Sequence, residues 1–96
     1  MIYFIVQRAS LLRDYMDRLE YLKRKYEDQL VETRTYTSSN RVSFALIVPQ
    51  NVADDVEKGV RGVFMGSIIK RQDGLPGNVS RILIVIDLNQ FLNRVS

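Results

Sequence analysis

The sequence predicts a single α/β domain of two layers, in which a four- or five-stranded mixed or antiparallel sheet carries one long helix across one face. Two apolar runs, Ile2 to Val6 and Ile82 to Ile86, are rich in β-branched residues, as in strands buried on both faces. Between them, apolar residues from Leu12 to Tyr26 recur at spacings of three and four, which is typical of an amphipathic helix. The 96 residues contain no internal repeat and suffice for one modest core, so we expect one domain over residues 1–96.

The composition excludes several classes of site. The chain has no cysteine, which excludes disulfides, thiolate nucleophiles and cysteine-bound metals, and no histidine, the commonest acid-base group and transition-metal ligand. No phosphate loop or nucleophile elbow is present either, so we expect no cofactor and no enzymatic activity. The apolar runs are too short to span a bilayer, and nothing resembles a signal peptide. We therefore expect a cytoplasmic protein.

The first element is predicted as a central strand, and the second as a helix of about five turns that begins after Ser10 as N-cap. One apolar stripe follows this helix: Leu12, Tyr15, Leu19, Leu22 and Tyr26. Its heptad spacing also suits a partner helix in a second subunit. Because two heptads are few for a coiled coil, we favour packing on the chain's own sheet.

The middle of the chain allows two topologies. The polar stretch Glu32 to Asn40, with its alternating threonines, is typical of either an exposed edge strand or a loop. The run Val42 to Pro49 is predicted as a strand that ends at the proline. If the polar stretch is a loop, the order is β-α-β-α-β-β; if it pairs with the next strand, the order is a ferredoxin-like βαββαβ pattern with an added strand.

The second half predicts a short helix and a hairpin. Asn51 is a good N-cap for two helical turns from Val52 to Lys58. The stretch Gly62 to Arg71 is richer in β-branched and aromatic residues than a helix prefers, and it contains a central glycine, so it is predicted as a strand. The loop Gln72 to Asn78 then joins it to the isoleucine-rich strand as a hairpin with a long tip.

The end of the chain and the sheet together predict association. The spacing of Leu88, Phe91, Leu92 and Val95 predicts two closing helical turns with an apolar face. One long helix covers only one face of a sheet, so the second face is either capped by the short helices or buried against another subunit. We expect a homo-oligomer.

Two motifs each have a functional and a structural interpretation. Gly59 and Gly62 spell GVRG, which resembles the backbone-clamping loop of KH domains, although we favour a turn between helix and strand. Asp54, Asp55 and Glu57 offer oxygen ligands for a hard cation, but acids in the first turn of a helix are explained by the helix dipole alone.

The positive charge concentrates near the hairpin. The net charge is +3, and residues 58–81 carry five basic residues against one acidic residue. Of these, Lys70, Arg71 and Arg81 flank the glycine-rich tip, where cationic side chains would reach phosphates that a flat surface would not. Lysine and arginine beside a hairpin tip are also ordinary solvated residues that protect a sheet edge from aggregation.

The segment Met65 to Ile86 resembles the carboxy-terminal hairpin of the Alba family of archaeal chromatin proteins. The similarity consists of a Gly-Ser pair before a basic loop, a Gln-Asp-Gly turn, a Val-Ser strand start and alternating isoleucines. The resemblance implies a dimer whose hairpin tip enters the DNA minor groove and whose first strand-helix turn contacts the backbone. The family's lysine-rich turn is represented here only by Arg8, the first helix is longer and the second is shorter.

The predicted function is non-catalytic, sequence-independent binding of duplex nucleic acid, DNA or structured RNA, with phosphate contacts from Arg8, Lys70, Arg71 and Arg81. No aromatic residue lies near the tip, which disfavours stacking of single-stranded bases. The alternative is a homo-oligomeric scaffold module whose basic loop has no nucleic-acid role. The first hypothesis requires that the arginines are not engaged in ion pairs with their own chain.

Overall fold

The computed structural model describes the backbone of residues 2–87 and the side chains of residues 10–87. Its four strands form one antiparallel sheet in the order β1-β2-β4-β3, and two helices complete an α+β domain. A single 3-10 turn, Gln50–Val52, precedes the second helix. The elements are α1 (Ile2–Lys25), β1 (Glu32–Thr37), β2 (Arg41–Pro49), α2 (Ala53–Val63), β3 (Ile68–Leu75) and β4 (Val79–Asp87).

The predicted opening strand is wrong, because the apolar run from Ile2 to Val6 forms the first turns of α1. A run of five apolar residues is compatible with a buried strand or with helix, and its local composition favoured the strand. Conversely, the polar stretch after α1 contains β1. The described order is therefore α-β-β-α-β-β, which is neither of the two predicted orders, and the sheet is antiparallel throughout.

The core lies between the two helices and one face of the sheet. On α1, the predicted stripe is confirmed as part of the chain's own core, with Leu19 and Leu22 almost completely buried. Phe64, at the end of α2, stacks on Tyr15 with ring centroids 6.2 Å apart and meets Phe44 of β2 at 5.8 Å. Alternate residues of the two central strands complete this face: Val42, Phe44, Leu46, Val48, Ser80, Ile82, Ile84 and Ile86.

The helix α2 begins and ends later than predicted. Val52 rather than Asn51 is its N-cap residue, and the helix continues through Gly59 and Gly62 to Val63. The GVRG motif therefore forms neither a backbone-clamping loop nor a turn between helix and strand. Gly59 instead permits close packing, because an added Cβ would overlap the Tyr26 hydroxyl and lie 2.9 Å from Cζ of that ring.

The hairpin between β3 and β4 is tighter than predicted. After α2 the chain reverses at Gly66, whose φ is 85°, so β3 begins at Ile68 rather than at residue 62. The tip itself is the turn between Leu75 and Val79, where Gly77 and Asn78 adopt φ values of 90° and 57°. The ladder shifts register between Gln72 and Leu75, which marks an irregularity on the β3 side.

Two further sequence-based predictions concern the ends of the chain and the membrane. The predicted closing helical turns, Leu88 to Val95, lie outside the described residues. Within residues 2–87, neither helix is both long enough and apolar enough to cross a bilayer.

Candidate nucleic-acid interface

The sheet has a second face, which points away from α1 and α2 and which we call the open face. Strand pairing arranges its side chains in rows that run across β1, β2, β4 and β3 in turn. The three central rows are Tyr36-Ser43-Val85-Ile68, Arg34-Ala45-Leu83-Lys70 and Glu32-Ile47-Arg81-Gln72.

Three cationic side chains and Glu32 border a small apolar floor on this face. Arg34 and Lys70 occupy opposite ends of one row, and their Cα atoms are roughly 14 Å apart at the usual strand spacing. Arg81 lies in the next row, diagonal to Lys70 on the neighbouring strand. The floor between them consists of Ala45 and Leu83.

The three cations Arg34, Lys70 and Arg81 differ in their hydrogen-bond and ion-pair partners. The Arg34 Nε donates a 2.7 Å hydrogen bond to Glu32, and this bond is the main cause that raises the pKa of Arg34. The Arg81 guanidinium donates to the neutral amide oxygen of Gln72 at 3.0 Å. Among the side chains of residues 10–87, neither Lys70 nor Arg81 forms an ion pair. Both are exposed, so their charges face solvent.

Arg71 does not lie with Lys70 and Arg81, the two hairpin cations with which it was grouped in the predicted site. It follows Lys70 on β3 and therefore points to the helix side of the sheet. There its guanidinium contacts Asp54, bonds Asp73 at 2.8 Å and approaches Glu57 at 3.2 Å. These hydrogen bonds, with Asp54 as the largest cause, raise the pKa of Arg71. Its charge is thus matched within the chain.

A polar network around Arg71 joins the hairpin to α2. The buried Ser80 hydroxyl donates to Asp73 at 2.6 Å, and this bond, followed by that of Arg71, lowers the pKa of Asp73. Arg61 bonds Glu57 at 2.9 Å and is the main cause that lowers the pKa of Glu57. Two of the three acids of α2 therefore hold the hairpin, and within the described residues no acidic group has the arrangement of a metal site.

Arg8 lies within α1 rather than in a turn between strand and helix, and its side chain is outside the described ones. Its predicted phosphate contact stays a prediction. Conversely, sequence reasoning missed Arg34 and Tyr36 as surface groups of the sheet. The alternation in Thr-Arg-Thr-Tyr-Thr was a usable signal, because a strand over these residues puts both side chains on one face.

The open face also carries a depression of about 360 Å³ near its β3 edge. Lys70 and Ile68 border it on β3, and Arg41 with Asp87 borders it at the far end of the central strands. Its floor is formed by the apolar Leu83 and Val85, and its borders carry charges of both signs, Lys70 and Arg41 against Asp87.

No family model matches the chain, and neither does any curated protein or solved structure. The resemblance of Met65 to Ile86 to the Alba hairpin stays a prediction. The segment does form a hairpin, but its Gly66 and Ser67 lie in the turn before β3 rather than within a strand.

Proposed function

We propose that the open face binds duplex nucleic acid, DNA or structured RNA, through its phosphates and without catalysis. The observation that carries this proposal is the position of Lys70 and Arg81, two exposed neighbouring cations on the face opposite both helices. Neither forms an ion pair among the described side chains, so binding a phosphate costs no internal contact with a carboxylate.

This site differs from the cationic hairpin tip that the sequence predicted. The tip between Leu75 and Val79 carries no cation, and Lys70 and Arg81 project instead from paired strands. Arg71 is left out because its guanidinium is engaged by three carboxylates. Arg34 lies at the opposite end of the row of Lys70, but its Nε bonds Glu32, so the proposed phosphate contacts rest on Lys70 and Arg81.

The composition of the face favours a duplex over a single strand. Among the described residues, Tyr36 is the one aromatic side chain on the open face, and it lies on the edge strand. Sheets that bind single strands use several aromatic residues to stack successive bases. Phosphate contacts by long cationic side chains position a duplex without reading its bases, so we propose binding without sequence preference.

A titration of labelled duplex at two salt concentrations tests this proposal. Each lost phosphate contact reduces the slope of log affinity against log salt by about 0.9. For the double variant Lys70→Gln, Arg81→Gln, the affinity lost between about 50 and 200 mM salt should therefore shrink roughly tenfold relative to the parent.

The matched control is Arg24→Gln, Lys58→Gln, which removes the same charge from exposed helical positions on α1 and α2. Its slope of log affinity against log salt should differ from that of the parent by less than about 0.5. If both double variants lose the same slope, the effect is one of net charge, and the site on the open face is rejected. If the first double variant keeps the parent's slope, the site is rejected as well.

A second candidate is a homo-oligomeric scaffold module, and one observation favours it. Ile68 is 57% exposed on the open face, next to Val85 in the same row. Burial of this apolar surface against a second copy would give an oligomer that Ile68→Asp dissociates. Sedimentation of that variant, together with the absence of duplex binding by the parent at low salt, would favour this candidate over the first.

A further inference from the structure

We infer that the free edge of β1 pairs with β1 of a second copy, antiparallel and centred on Thr35, so that the two sheets become one. The inference is independent of the proposed function, because it concerns the sheet edge and its test needs no nucleic acid.

The edge is suitable for strand pairing. β1 is the last strand of the sheet, and five of its six residues are exposed. Its pairing with β2 is unbroken from Glu32 to Thr37, with no proline and no register shift, whereas β3 at the other edge carries an irregularity. Bulges, prolines and charged side chains protect sheet edges from intermolecular pairing; β1 has neither a bulge nor a proline, and its two charged residues, Glu32 and Arg34, pair with each other. Among the described residues, nothing pairs with its outer side.

The hydrogen bonds of the β1-β2 hairpin determine which backbone groups point outwards. The Ser38 N–H donates to the Arg41 carbonyl at 2.9 Å, so this residue pair is a bonded one. Bonded and non-bonded pairs alternate along an antiparallel ladder. The backbone groups of Arg34 and Tyr36 therefore bond to β2. The N–H and C=O groups of the alternate residues point to the free edge: Thr33, Thr35 and Thr37.

Five two-fold registers, centred on residues 33 to 37, keep threonine opposite threonine, and strand overlap and side chains distinguish them. Centring on Tyr36 or Thr37 would place Thr33 opposite residue 39 or 41, beyond the end of β1, so fewer backbone bonds form. Centring on Thr35 pairs Thr33 with the partner's Thr37, so all three outward threonines exchange both backbone bonds. It also places Arg34 opposite the partner's Tyr36 on the open face, twice by symmetry, which favours cation-π contact.

The other registers are poorer. Centring on Arg34 would place two like charges opposite each other, which destabilises a strand pair. Centring on Thr33 would require the Val31 N–H, which already donates to Ile47 at 2.8 Å. The register centred on Thr35 is therefore the one that both the backbone and the charges favour.

A two-fold axis perpendicular to the sheet leaves both open faces on the same side. The Arg34 side chains of the two copies then lie near the centre of the joined open face, with Lys70 and Arg81 towards its outer ends. A second copy is thus the partner that this edge fits.

Single-cysteine variants test the register directly, because the chain has no cysteine of its own. In the inferred pairing, Thr35 faces the partner's Thr35 in a bonded pair with a Cα separation of about 5.5 Å, within reach of a disulfide. Thr35→Cys should therefore form a covalent dimer under mild oxidation at micromolar concentration.

Thr33→Cys and Thr37→Cys are the matched controls. In the inferred register each lies four residues, roughly 13 Å, from its own counterpart. Neither should cross-link with itself, but a mixture of the two should give a mixed disulfide. Cross-linking of Thr33→Cys alone, or equal rates for all three variants, would overturn the inferred register.

Thr35→Pro provides a second measurement that does not need oxidation. The Thr35 N–H points outwards, so the proline removes no bond to β2 while it blocks the edge. Sedimentation equilibrium should show a monomer for this variant and a dimer for the parent and for Thr35→Val. A monomeric parent at the highest concentration tested, or an unchanged dimer in Thr35→Pro with native circular dichroism, would overturn the inference.

Discussion

The contact between Gly59 and Tyr26 makes Gly59→Ala destabilising, although alanine is the better helix former. In the interior of α2, replacing glycine by alanine alone would gain about 1 kcal/mol. Against this gain, the new methyl would overlap the hydroxyl of Tyr26, a ring that is only 6% exposed, and would lie 2.9 Å from its Cζ. Overpacking of a core costs about 1–3 kcal/mol, and displacement of the ring loses part of its burial, worth about 1–2 kcal/mol more.

The net loss is therefore about 2 kcal/mol in the free energy of unfolding. For a chain of 96 residues, this corresponds to a fall of roughly 10 °C in Tm. Urea unfolding followed by circular dichroism measures the free energy, and thermal unfolding measures Tm. In a Tyr26→Phe background the loss should shrink, because the overlapping hydroxyl is absent, while the ring contact at Cζ remains.

Gly62→Ala is the matched control in the same helix. An added Cβ there has no neighbour within 4 Å, so only the helix propensity changes. We expect a gain of about 0.5 kcal/mol, less than in a helix interior because Gly62 is in the last turn. If Gly59→Ala stabilises the protein as much as Gly62→Ala does, the close approach of Tyr26 to α2 is wrong.

Two further predictions concern the core and the acid stability. Phe64 is fully buried between Tyr15 and Phe44, so Phe64→Ala should lower the free energy of unfolding in urea by about 3–5 kcal/mol; a loss below about 1 kcal/mol would contradict this packing. Ser80 and then Arg71 lower the pKa of folded Asp73, so the unfolded state binds more protons and stability is lost as pH falls below about 4 and through the folded pKa. Urea unfolding of Asp73→Asn across this range should show a flatter acid limb than the parent, and an equal slope would refute the role of this carboxylate.

The elements that could be predicted from the sequence are those with a clear period. The stripe on α1 has helical spacing, and it is buried as predicted. β2 and β4 were predicted from continuous apolar runs, which is how central strands appear. The run Ile2 to Val6 has the same composition but belongs to α1, because a short apolar segment carries no period that separates strand from helix.

Other features depend on contacts that the sequence does not show. Gly59 has the local signature of a helix end, and only the contact with Tyr26, 33 positions earlier in the sequence, explains a glycine inside α2. Lys70 and Arg71 were predicted as one cationic group beside the hairpin tip, at the end of a strand. Because β3 includes them both, strand alternation places them on opposite faces, and the acids that bind Arg71 come from α2.

The most direct measurement of the central claim is the change in backbone amide chemical shifts on titration with duplex DNA at low salt. If the open face binds the duplex, the largest changes lie at Lys70 and Arg81, and the tip at Gly77 and the exposed side of α2 change little. Changes concentrated at the tip or on α2, or no change at any duplex concentration, would contradict this claim.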